Sequence, residues 1–249
     1  MTQNPNLIIT EAVAKRLGPL LPDLVFVGGC ATGLLITDPA SAPVRPTRDV
    51  DVIGELTSYA KYAVLSDRLR ALGFQEQHGH GEPICRWAVD EILLDVMPSS
   101  DAVFGFANRW YTGAIMHARE FQLSNKLAIR LVTSPFFLAT KFEAFDSRGN
   151  KDFYASHDLE DIVTLLDGRK EVVEEIATSP VEVRAYLIRR FKQLLASEDF
   201  ENCLPGHFQP DAVSQSRVSV VTARLRSMTS PATGRQPRVG KVGRAPRTR

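Results

Sequence analysis

Apolar positions along this chain follow two rhythms, and the change from one to the other falls near residue 133. Before it, short runs of β-branched and aromatic residues alternate with amphipathic stretches, as expected for strands and helices in alternation. Leu7, Ile8, Val13 and Leu17 lie at helical spacing with Gly18 as a stop signal, which predicts a helix over 6–17. Leu24–Val27 reads as a strand ending at Gly28-Gly29, and CATGLLIT can then start a helix. A loop with three prolines, TDPASAPVRPT, leads to Arg48–Ile53, where polar and apolar residues alternate with the strand period of two. Residues 57–72 predict an amphipathic helix closed by Gly73. Strands are expected near 74–77, 84–89 and 92–97, with Asp90-Glu91 turning between the last two.

After residue 133 the pattern is helical. Ser134-Pro135 has the form of a helix start, a capping hydroxyl with proline at the first helical position, and the helix runs to Gly149. Further helices are predicted over 156–167, 170–177 and 179–196, the last opening on a capping-box pattern, Ser179 to Glu182. From about residue 205 onward Pro, Gly, Ser, Thr and Arg dominate and little remains to bury, so disorder is expected. The predicted class is α/β (α+β): residues 1–133 form a domain with a small mixed sheet and flanking helices, 134–204 an all-helical domain, and 205–249 a disordered basic tail. Length agrees, since 249 residues are many for one compact unit.

Charge sharpens that division. The formal net charge is only +1, yet no Asp or Glu follows Asp211, so a mildly acidic body carries a basic tail. Cys30, Cys85 and Cys203 are odd in number, far apart and in no CxxC arrangement, which suggests neither a disulfide framework nor a zinc site. No stretch approaches the length of uninterrupted apolar residues that a membrane span needs, and the N-terminus lacks the form of a secretory signal. A soluble cytoplasmic protein with no membrane partner is the expectation.

The candidate chemistry lies in three acids. Asp49 and Asp51, two apart on a predicted strand, leave the same face, so their carboxylates can converge. Two such acids among Val and Ile are costly unless a cation compensates them, and hard oxygen ligands suit Mg²⁺ or Mn²⁺; an acidic solvent-facing strand is the bland alternative. Asp95 is a further acid inside an apolar strand, Leu93 to Met97, and should have a strong partner. Gly28-Gly29, between a strand and a helix, exposes backbone N–H groups where a phosphate is favourably held, although a tight turn alone would also need glycine. Lys141 lies on an otherwise apolar helix face with Phe137, Ala144 and Phe145, so its ammonium either snorkels or meets an anion, and Arg148 lies one turn further along. Asp158 and Asp161 open a helix, where the dipole favours acids in any case; Asp158 is the stronger functional candidate. His78 and His80 form a polar HGHG turn with no third ligand nearby. Arg184, Arg189, Arg190 and Lys192 form either a solvated face or part of a nucleic-acid groove.

In order and spacing, VGGCATGLLIT, the proline-rich loop, RDVDVIG and LLDVM resemble the GG[S/T], DxD and third-carboxylate motifs of polymerase-β-like nucleotidyltransferases. Downstream, LATKFEAFDSRGNKDFYASHDLEDIVTLL is similar to the segment with a Lys, a following Arg and a D-x-x-D-[IL] pair in the AbiEii toxin group of that superfamily. The resemblance covers roughly residues 24–166. It implies that Asp49 and Asp51 bind both of two Mg²⁺ (or Mn²⁺) ions and that Asp95 completes the metal site and helps orient or deprotonate the acceptor hydroxyl. It further implies that Gly28, Gly29 and Cys30 hold the triphosphate, that Lys141 and Arg148 contact the nucleotide, and that Asp158 has a catalytic or nucleotide-ordering role. Cys30 stands where the family has Ser or Thr, which removes a hydroxyl donor that Thr32 is the nearest residue to replace.

The implied activity is transfer of a nucleoside monophosphate from an NTP to an acceptor hydroxyl with loss of pyrophosphate. The AbiEii likeness implies a toxin-like enzyme acting on RNA, with tRNA 3′ ends as a candidate acceptor and an antitoxin as a candidate partner. Two alternatives keep part of this reading: the same chemistry on a small molecule or a protein side chain, or a catalytically silent domain that binds nucleotide or nucleic acid.

Overall fold

The computed structural model describes residues 4–79, 83–124, 126–148 and 152–230, and the expectations placed on His80 and on the tail after residue 230 lie outside them. The N-terminal part runs α1 (Leu7–Leu17), β1 (Leu24–Val27), α2 (Gly28–Leu35), β2 (Asp49–Gly54), α3 (Tyr59–Ala71), β3 (Gln75–Glu76), β4 (Arg86–Val89) and β5 (Ile92–Pro98). Then come α4 (Tyr111–Met116), β6 (Arg119–Ser124) and β7 (Leu127–Leu131). The helical part contains α5 (Ser134–Ser147), α6 (His157–Gly168), α7 (Val172–Thr178), α8 (Val181–Leu195), α9 (Glu198–Cys203) and α10 (Ala212–Thr229).

The protein is mixed α/β. Seven strands form one sheet in the order β3-β4-β5-β2-β1-β7-β6, with β2 parallel to β5 and β1 parallel to β7. On β2 the acids are only partly buried, whereas Val50 and Val52 are fully so, as the strand period demands. Those valines belong to a hydrophobic cluster that is continuous across residue 133, from Leu17 on α1 through Phe26 on β1 to Phe137 and Phe142 on α5 and Leu225 on α10. No helix among the described residues is long and apolar enough to cross a membrane.

Four expectations change. The segment after residue 205 is not unstructured as far as Ser230: α10 packs Val221, Leu225 and Met228 into the core, with Val218 against it, at spacings of three and four residues. Its start is capped by Asp211, which accepts from the N–H groups of Val213 and Ser214, so a few well-spaced apolar residues outweigh a polar composition. The capping box at Ser179 does not form; Pro180 takes the cap position, and the Ser179 hydroxyl donates instead to the Ile176 carbonyl. Likewise the cap of α5 falls on Thr133 with no side-chain cap, although Pro135 does sit in the first turn. Finally, the sequence reading assigns no element between Met97 and Ser134, where the structure has α4 and the β6–β7 hairpin.

Candidate active site

Strand register builds the floor of the site. Asp51 on β2 lies directly opposite Asp95 on β5, and Asp95 lies opposite Arg86 on β4, so three charged side chains form one row across three strands. Asp49, two residues from Asp51, shares that face. Like charges placed opposite each other are destabilising, and Arg86 compensates two of them. Its Nε donates to Asp95 Oδ1 at 2.8 Å, and Nη2 donates to Asp95 Oδ2 and to Asp49 Oδ2, both at 2.8 Å. Thr47 Oγ1 donates to the other Asp49 oxygen at 2.7 Å. Asp51 has no hydrogen bond or ion pair from a described residue; its carboxyl is pushed up to about 7, first by removal from bulk water and then by the Asp49 charge.

Gly28 adjoins this row. Its φ is +67°, and a Cβ there would run into the Asp51 carboxylate, so two independent constraints exclude a side chain. Gly28 and Gly29 open α2, as the phosphate-cradle reading requires. The Arg45 guanidinium hangs over the turn, 3.4 Å from where a Cβ on Gly29 would sit. Cys30 is different: its buried thiol donates to the Val27 carbonyl at 3.1 Å, burial pushes its pKa up, and it does not line the cavity. Thr32 is also fully buried and does not line the cavity, so neither side chain supplies the missing hydroxyl there. Any contribution of Cys30 is therefore limited to its backbone.

The opposite wall comes from the helical part. Lys141 Nζ on α5 lies 2.9 Å from Asp158 Oδ1 and 2.6 Å from Asp161 Oδ2 on α6, all three buried. Arg148 closes a fork on Asp158, with Nε to Oδ2 and Nη2 to Oδ1, both at 3.0 Å. Burial opposes ionisation of Asp158, yet the bonds from Arg148 and the charge of Lys141 hold its carboxyl down to about 2. Burial likewise acts against the Lys141 ammonium, but Asp161 and then Asp158 raise its pKa above the usual lysine range. Of the two expectations for this ammonium, snorkelling or meeting an anion, the structure has the second, as an ion pair with carboxylates of this chain.

Floor and wall face each other across one cavity of about 480 Å³, whose lining includes Gly29, Arg45, Asp49, Asp51, Asp95 and Lys141. Arg148 and Asp158 line it too, so seven of the nine sequence-predicted residues line one cavity, with Gly28 immediately beside them as the eighth and Cys30 left aside. A larger cavity of about 870 Å³ elsewhere contains none of them. As they stand, no three acidic, histidine or cysteine side chains among the described residues are set to hold an ion, and one Arg86 nitrogen bridges Asp49 and Asp95. Sequence reasoning missed Arg86 and Arg45. The signal that singled out Asp95, a charge inside an apolar strand, applies equally to Arg86 between Cys85 and Trp87. Of the other candidates, His78 pairs with Glu76 at 3.1 Å, and Arg190 is committed to Asp146 at 2.7 Å.

No protein-family model matches the sequence, and no curated protein matches it either. Among solved structures, the chain is similar to an antigenic nucleotidyltransferase-like protein from Paracoccidioides brasiliensis, over 81% of this chain and 94% of that one, at 17% identity and a TM-score of 0.44.

Proposed function

We propose that this chain is a metal-dependent nucleotidyltransferase that moves a nucleoside monophosphate from an NTP to an acceptor hydroxyl. The observation that supports this best is the sharing of one face by Asp49, Asp51 and Asp95 on two adjacent strands, beside a glycine turn at a helix N-terminus. The donor chemistry fits Mg²⁺ or Mn²⁺: the three groups are hard carboxylates, and the raised pKa of Asp51 marks negative charge that the protein leaves uncompensated. Asp49, Asp51 and Asp95 would hold the cation, which supplies neutralisation of phosphate charge and activation of the acceptor hydroxyl.

The remaining roles belong to the chain itself. The N–H groups at the start of α2 and the Arg45 guanidinium would take phosphate oxygens. Asp95 would orient the acceptor hydroxyl as its oxygen bonds to the α-phosphorus and the bond to pyrophosphate breaks. Lys141 and Arg148 would support the nucleotide from the facing wall while keeping Asp158 in place. For the acceptor we favour RNA, including tRNA 3′ ends, and a toxin role restrained by an antitoxin, because of the likeness to AbiEii proteins around Lys141 and Asp158. Exposed Arg189 and Lys192 on α8 offer phosphate contacts consistent with it.

The test is to incubate the protein with each α-labelled NTP, Mg²⁺ and total RNA. Label should enter RNA with one or more nucleotides, and Asp49→Ala or Asp51→Ala should abolish transfer with the fold retained. Full transfer by either variant overturns the reading. One observation favours a second reading, a domain that binds nucleotide without transferring it: the Arg86 bridge occupies two of the three acids. NTP binding in equilibrium dialysis with no transfer to any acceptor would decide for it.

A further inference from the structure

Every carboxylate oxygen of Asp49 and Asp95 carries a donor: Arg86 takes both oxygens of Asp95 and one of Asp49, and Thr47 takes the last. Arg86 is well placed to hold them. Its strand position puts it opposite Asp95, its side chain is only 15% exposed, and its planar fork spans two acids in a way that an ammonium cannot. A divalent cation held by the same oxygens would lie beside the guanidinium, and two positive centres repel at that distance. A guanidinium also keeps its proton at any physiological pH, so it leaves the acids by competition rather than by titration.

We propose that Arg86 is a built-in counter-cation that latches the acid floor, and that it must swing off Asp49 and Asp95 before these residues bind a divalent ion. The proposal rests on the metal-dependent reading of the same site. The swing requires only rotation about side-chain bonds, because β4 is fixed by pairing on both sides and the cavity in front of it has a volume of about 480 Å³. The latch makes ion binding weaker than three bare acids would give. It also spares the ion-free protein the repulsion of three uncompensated carboxylates.

The experiment is a calorimetric Mn²⁺ titration of the full chain without nucleotide, for the wild type, Arg86→Gln and Arg86→Lys, with thermal unfolding of each before and after Mn²⁺. Arg86→Gln should bind Mn²⁺ about tenfold more tightly than the wild type. It should also melt lower without the ion and recover when the ion is added. Arg86→Lys, which keeps the charge but loses the fork, should fall between them; if Arg86→Gln fails to fold, a gain of several fold in Arg86→Lys carries the test. Equal or weaker Mn²⁺ affinity in the folded variants overturns the latch while leaving the metal reading standing. No Mn²⁺ binding by any of the three proteins overturns both.

Discussion

The floor and the wall of the cleft are both clusters of aspartates with cations, yet they are built to opposite ends. On the wall, Asp158 and Asp161 meet Lys141, Arg148 and, at 3.7 Å, Arg45, so two acids have three basic partners. On the floor, Arg86 serves two of three acids, Asp49 and Asp95, and Asp51 is left with no described partner. Buried charges persist when paired, so the wall explains itself as architecture that fastens α5 to α6. The floor does not: a protein selected for stability alone would replace Asp51. The contrast teaches that an acid inside a core is weak evidence of chemistry, whereas an acid whose ionisation the fold opposes is stronger evidence.

If this contrast is right, Lys141→Met should be the most damaging substitution. It leaves buried Asp161 with only Arg45, at 3.7 Å, and Asp158 with only Arg148, and should lower unfolding stability by about 3–5 kcal/mol in urea titrations. A loss below about 1 kcal/mol would mean that the wall, too, tolerates unpaired charge. Arg217 offers a second wall-like cluster, with Nε on buried Asp167 at 2.5 Å and Nη2 on Asp38 at 2.9 Å. Arg217→Ala should cost about 2 kcal/mol by the same measurement. The floor should respond in the other direction. Asp51 titrates near 7 in the folded chain and 3.8 is its ordinary value, so the folded state binds the extra proton between them. The stability this group contributes therefore falls as pH rises from 3.8 to 7. Asp51→Asn should stabilise the ion-free protein by about 1–2 kcal/mol at pH 8 and by nothing near pH 4. Asp158, held near 2, has the opposite sign: its contribution is complete above 3.8 and is lost as pH falls toward 2. The smallest effect is expected at the exposed pair Arg16–Asp90, where Arg16→Ala should shift stability by no more than about 0.5 kcal/mol.

What the sequence disclosed follows how local the cause is. Periodicity places β2 and β5, and with them the acids, because a strand's two faces are set by its own alternating residues. It could not say that Asp51 and Asp95 would share a register position, since β2 and β5 are separated by α3 and two other strands. The same limit hid Arg86, which matters only because β4 lies beside β5. Lys141 was legible as an ammonium in an apolar face, but the identity of its anion depended on how α5 packs on α6. The helix α10 escaped composition because a handful of residues, Val218, Val221, Leu225 and Met228, do the packing while Ser, Thr and Arg set the average.

The Arg217 bridge also has a consequence in time. Arg217 reaches back 179 positions to Asp38, in the loop that leads toward the DxD strand, and fastens that loop to the end of α6 through Asp167. Chain growth at the ribosome runs from the N-terminus, and closing so long a loop is slow. A nascent chain that has just emitted residue 204 therefore already holds both faces of the cleft but has no counter-charge for Asp167. The loop before the DxD strand is fastened to the end of α6 by this charge only once the α10 helix has emerged.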